Sequence, residues 1–168
     1  MAGVKARNPV DYTIRNTQQA FVALAAQADL KANIVITATS ITLSLSLTHL
    51  DDNDLRPSLV ALIAGCLLAL VTAIYSVVPT NRLRGVVPGR RADHPLYFAS
   101  VANTEQDVYV EQMAELLRDD ATLYEAQVRD LHAFSRRLAV KYMTLRLAYA
   151  AFLTGVALAT VIQLVHRL

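Results

Sequence analysis

The chain has 168 residues, 54% of them hydrophobic, a formal net charge of +2 and a mean hydropathy of +0.34, which is more apolar than a soluble domain of this size carries. A disordered or nucleic-acid-coating protein is excluded by that balance, and the single cysteine, Cys66, excludes an intrachain disulfide or a thiolate metal cage within one chain.

The N-terminal segment, residues 1–31, is polar and interrupted by Asp11, Arg15 and Asp29, so it reads as no removable signal. Asn8 and Pro9 form an N-cap and first-turn pair. After Pro9 neither Gly nor Pro occurs until Pro57, which permits one helix from Pro9 to about His49, longer than a bilayer needs by some 20 residues.

The first apolar stretch, 32–50, holds Thr37, Thr39, Ser40, Thr42, Ser44, Ser46 and Thr48. Those hydroxyls can bond back to the preceding turn or to a neighbouring helix, so the stretch is read as a transmembrane helix rather than a buried core helix. A short acidic loop, 51–57, carries Asp51, Asp52 and Asp54. The second stretch, 58–79, has no charge between Ser58 and Val78, and the third, 145–165, has none from Leu147 onward. Both are long enough to cross hydrocarbon.

Between them lies segment 80–144. Pro79, Gly85, Pro88, Gly89 and Pro95 make its first part, to Asn103, a loop rather than an extra helix. Its Arg82, Arg84, Arg90 and Arg91 suit anionic lipid headgroups. Thr104 and Asp107 resemble a capping box opening a helix that continues into the third span. Val110, Ala114, Leu117, Ala121, Tyr124, Val128, Leu131, Ser135, Leu138, Tyr142 and Leu145 recur at intervals of four and three, the seam of a coiled coil. A matching stripe in the first helix, Ile14, Gln18, Phe21, Ala25, Ala28, Ala32 and Val35, leaves open whether the two pack within one chain or between subunits.

Of sixteen Lys and Arg, all but Arg56 and Arg167 precede the first span or lie between spans two and three. The positive-inside rule places the N-terminus and segment 80–144 in the cytoplasm, and the tail 166–168 outside. The expected architecture is an all-α membrane protein with three transmembrane helices, two of them extended into a cytoplasmic, coiled-coil-like helical region.

Four short landmarks are family-like. Ala28-Asp29-Leu30-Lys31-Ala32 precedes the first span, and Pro95-Leu96-Tyr97-Phe98 forms a turn. Asp119, Asp120, Leu123 and Tyr124 follow, and Lys141-Tyr142 with Leu145-Arg146 leads into the last span. In that order they resemble the Pycsar transmembrane effectors, from about Asp29 to Gly155. The resemblance implies an antiphage role: a partner pyrimidine cyclase makes cyclic CMP or cyclic UMP on infection, and the effector, expected as a homo-oligomer in the bacterial inner membrane, damages that membrane in an abortive response.

A cyclic pyrimidine nucleotide offers one phosphate, a ribose hydroxyl and a small base. Its site calls for a cation, a hydroxyl partner and an aromatic face. Arg129, Arg136, Arg137 and Lys141 are phosphate candidates, Asp120 and Asp130 suit the ribose, and Tyr97, Tyr124 and Tyr142 suit the base. Each has a plainer role as well: Glu125 and Arg129 make an i to i+4 surface pair, and the cations near the bilayer can snorkel. Asp29, Lys31 and Arg146 sit at membrane boundaries, where ionisable groups are costly unless paired or hydrated. His49, His94, His132 and His166 show no metal-ligand spacing and no glycine-rich phosphate loop or serine elbow occurs, so neither a metal or other cofactor nor a catalytic centre is expected, and no nucleic acid polymer as partner. The heptads alone fit a constitutive membrane scaffold docking a protein partner equally well. A signal-free pore or transporter fits less well, because spans two and three carry no deep charge.

Overall fold

In the computed structural model, which describes residues 9–78, 89 and 91–168, the described elements are α-helices: α1 (Pro9–Thr48), α2 (Arg56–Val77), α3 (Phe98–Val101), α4 (Gln106–Leu116) and α5 (Asp120–Arg167). Among the described residues there is no strand. Three helices, α1, α2 and α5, are long and apolar enough to cross a membrane. The 40-residue α1 follows from the absence of Gly and Pro beyond Pro9, its opening residue. Asn8, expected as its cap, lies outside the described residues, as do Pro79, Arg82, Arg84, Gly85, Pro88 and Arg90.

Two expectations are corrected between the spans. The connector contains a helix, since Phe98–Val101 forms the single turn of α3. The helix expected from Thr104 into the last span is two helices. Thr104 Oγ1 donates to Ser100 O (2.9 Å) and is spent closing α3, while α4 starts one residue later with Glu105 as its flanking residue. α4 stops at Leu116, and Asp119 restarts the chain as the cap of α5: its Oδ2 accepts from the Thr122 N–H (3.1 Å) and hydroxyl (2.6 Å). A side-chain oxygen that satisfies the free N–H groups of a first turn competes with helix continuation. Val110, Leu117 and Ala121 consequently sit exposed, whereas Leu138 and Leu145 of the same heptad stripe are buried.

The chain divides into two compact units, residues 1–23 with 79–137 and residues 24–78 with 138–168. In the first, the stripes of α1 and α5 meet within one chain, with Phe21 and Phe134 stacked at 6.1 Å between centroids and 12° between planes. The loop before α3 is tied to α4 at two points: Ala92 N–H donates to Gln112 Oε1 (3.0 Å) and Gln112 Nε2 to Ala92 O (2.9 Å).

The second unit packs α1, α2 and α5 through small residues. Val35, Ala69, Ala73, Ala148 and Ala151 form one buried cluster, and Ala28, Ala32 and Leu145 another. α2 and α5 meet backbone to backbone at Gly65 and Gly155, where a Cβ on either would stand 2.5–2.8 Å from the other's Cα. Buried Thr39 donates to Val35 O (2.7 Å), the back-bonding that lets hydroxyls enter an apolar helix interface.

Candidate functional site

The first unit encloses a cavity of about 450 Å³, within the roughly 300–1,000 Å³ of small-molecule sites. Three segments line it. α1 supplies Asp11, Ile14, Arg15, Gln18 and Val22; the turn before α3 supplies Leu96 and Tyr97; α5 supplies Gln127, Asp130, Leu131, Phe134 and Arg137. Helical spacing explains the sets, since 11, 14, 15, 18 and 22 share one face, as do 127, 130, 131, 134 and 137. The rotation of α5 is fixed by the apolar members Leu131 and Phe134 turning inward.

Arg137 holds the turn in place: its guanidinium lies 3.8 Å over the Tyr97 ring, a cation–π contact that a planar guanidinium suits better than an ammonium. Tyr97 is also tilted against Phe98 at 5.0 Å, while Phe98 itself is largely exposed. Neither Arg15 nor Arg137 pairs with a carboxylate among the described residues. Asp11 Oδ1 accepts from the Tyr124 hydroxyl (2.8 Å). Asp130 is the most enclosed carboxylate, 15% exposed, with Oδ1 2.8 Å from His94 Nδ1. Its Oδ2 is buried without a hydrogen-bond partner among the described residues, and such a group is costly unless something donates to it. The cavity thus offers two guanidiniums, the carboxylates of Asp11 and Asp130, two carboxamides and aromatic faces, which are groups that can meet an anion, a hydroxyl or amine donor and a planar ring.

Of the sequence candidates, Tyr97, Asp130 and Arg137 come together in this cavity, with Leu96 of the family-like turn. Arg129 and Arg136 each precede a lining residue by one position, about 100° round the helix, and both are exposed; Arg129 pairs with Glu125 at 2.5 Å. Tyr124 donates its hydroxyl to Asp11 on the wall. Asp120 is exposed at the start of α5, Pro95 is half-buried in the turn, and Arg146 is exposed on α5.

The remaining candidates belong to the second unit. Lys141 Nζ pairs with Asp29 Oδ1 at 2.5 Å, Lys31 lies over the Tyr142 ring at 5.9 Å, and the Tyr142 hydroxyl donates to Leu24 O (3.1 Å). These contacts join α1 to α5 and involve residues of two family-like motifs, Ala28 to Ala32 and Lys141-Tyr142.

Sequence reasoning passed over Asp11, Arg15, Gln18, Gln127 and Phe134 as site residues. Gln18 lies on the heptad stripe, Arg15, Gln127 and Phe134 each stand one position from a stripe residue, and Asp11 stands three before Ile14, so the signal was the pairing of the stripes. Among the described residues no group of His, Cys, Asp or Glu is arranged to hold a metal ion.

Fold and site together define a helical membrane protein carrying a charged, aromatic-lined cavity. The model of the Pycsar effector protein domain matches residues 13–166, and the chain belongs to that family. No curated protein and no solved structure matches it.

Proposed function

We propose that this chain is an antiphage effector that binds a cyclic pyrimidine nucleotide, cCMP or cUMP from a partner pyrimidine cyclase, in the cavity of its first unit. On binding it impairs the bacterial inner membrane, which ends the infected cell before phage release. The observation that carries the reading is the cavity itself: the guanidiniums of Arg15 and Arg137, which pair with no carboxylate among the described residues, suit a cyclic phosphate, Phe134 and Tyr97 suit a base, and the Asp130 carboxylate suits a donor on ribose or base. Family membership supports the antiphage role.

The distribution of basic residues supports a cytoplasmic N-terminus and cavity, on the side where such a nucleotide is made. α1 and α5 contribute residues to both compact units. A ligand that binds one spacing of these helices more tightly than another therefore biases their membrane segments, and differential affinity is what a switch requires. The chain acts by binding and not by catalysis. The scaffold alternative is supported less, because Phe21, Ala28, Ala32 and Leu145 of the stripes pack within one chain, while Val110, Leu117 and Val128 stay exposed.

The test is membrane potential in cells expressing the protein without a cyclase and supplied with each of cCMP, cUMP, cAMP and cGMP. Depolarisation by one pyrimidine nucleotide is expected; an equal response to all four, or none, contradicts the proposal.

A further inference from the structure

The membrane segment of α1 carries a polar stripe turned away from its own bundle. Its buried residues are Ala28, Ala32, Val35, Thr39 and Ser46. Roughly 150° round the helix, Asn33, Thr37, Ser40, Ser44 and Thr48 share an arc of about 80°, and all five are exposed. They run about 22 Å along an axis that crosses about 30 Å of hydrocarbon. Thr37 and Thr48 bond back to Asn33 O and Leu45 O. The Asn33 amide and the Ser40 and Ser44 hydroxyls have no partner among the described residues.

Back-bonding to the preceding turn can take up a hydroxyl's donor but leaves its acceptor and the Asn33 amide, which hydrocarbon does not satisfy. The outward faces of the other two spans differ: α2 presents Val60, Leu67, Leu68, Val71 and Ile74, and α5 presents Leu153, Leu158, Val161 and Leu164. The exposed Thr154 and Thr160 of α5 bond back to Ala150 O and Val156 O, so lipid meets apolar side chains or back-bonded hydroxyls on two helices and would meet an unpartnered amide and hydroxyls on the third.

We infer that this stripe is the seam along which copies of this chain assemble in the membrane. Amides and hydroxyls both donate and accept, so the face is complementary to itself, and its mostly small side chains allow close helix contact. A lipid headgroup does not fit, because the stripe extends through most of the hydrocarbon depth. The seam stands on geometry alone, while its link to membrane damage rests on the proposed function.

The test uses the full chain in native membranes with Cys66→Ala, adding Ser40→Cys, Ser44→Cys or, on a neighbouring face, Leu45→Cys. Under mild oxidation, disulfide-linked dimers are expected several-fold more often at 40 and 44 than at 45. Equal yields at all three, no dimers, or adducts to a different protein overturn the seam. The double variant Ser40→Leu, Ser44→Leu is expected to keep nucleotide binding and to lose depolarisation at least tenfold; wild-type depolarisation overturns the link. Should the wild type bind no cyclic nucleotide, the cross-linking pattern still decides the seam, and that failure belongs to the cavity.

Discussion

Gly65 and Gly155 touch backbone to backbone: a Cβ added to Gly65 would lie 2.5 Å from the Gly155 Cα, with no side chain between them to move aside. Relief requires the helices to separate, and overpacking of this kind costs about 1–3 kcal/mol. Gly65→Ala and Gly155→Ala should each lower the unfolding temperature in detergent, whereas exposed Ala64→Leu should leave it nearly unchanged. Thermal unfolding followed by circular dichroism measures all three.

Asp29 and Lys141 join α1 to α5 with one partner 42% and the other 21% exposed, so screening limits the pair to about 1 kcal/mol. Asp29→Asn and Lys141→Met should each destabilise the second unit, and the double variant should cost less than the sum of the two. A double-mutant cycle on unfolding free energy reads the coupling; strict additivity would show that the two charges do not interact.

Asp119 caps α5, and its carboxyl is held below the usual carboxylate range, chiefly by the Thr122 hydroxyl and then by the Thr122 and Ala121 N–H groups. Its folded-state value lies under its unfolded one. The stabilisation is therefore full above the unfolded value of about 3.9 and disappears as pH falls through the folded value. Asp119→Ala should fray the first turn of α5 at neutral pH and remove that acid-side dependence. Amide exchange at Ala121 and Thr122 across pH 2 to 6 checks both.

Arg137 meets the Tyr97 ring, so two variants separate charge from shape. Arg137→Ala loses a charge-assisted contact worth about 1.5–3 kcal/mol, or roughly tenfold to a hundredfold in affinity. Arg137→Lys keeps the charge but lacks the planar group that stacks on the ring, and should recover only part of the loss. Arg129→Ala, which removes an exposed pair with Glu125, should leave the dose dependence of depolarisation as it is.

The long-range architecture was legible because its causes are local and periodic. Uncharged runs define α2 and the end of α5, the absence of Gly and Pro defines α1, and the heptad residues Phe21, Ala28, Ala32 and Leu145 mark the faces that pack. The break at 117–119 was not legible from the stripe, because Leu117 and Ala121 keep the heptad spacing while Asp119, one carboxylate between them, captures Thr122 and restarts the helix. Within the site, residue types were readable and rotation was not. Arg136 and Arg137 are indistinguishable as cations, and only the inward turn of Leu131 and Phe134 selects Arg137. Arg15 and Asp11 come from more than 100 residues away, and nothing in either stripe alone says that the other will face it.

The most direct test of the account is calorimetric titration of the detergent-solubilised protein and its Arg137→Ala variant with cCMP, cUMP, cAMP and cGMP. Saturable binding of one pyrimidine nucleotide at one site per chain is expected, weakened tenfold or more by Arg137→Ala, with the purine nucleotides bound far more weakly. Absence of binding by the wild-type protein, or binding of equal strength in the variant, would contradict the assignment of the cavity as the sensing site.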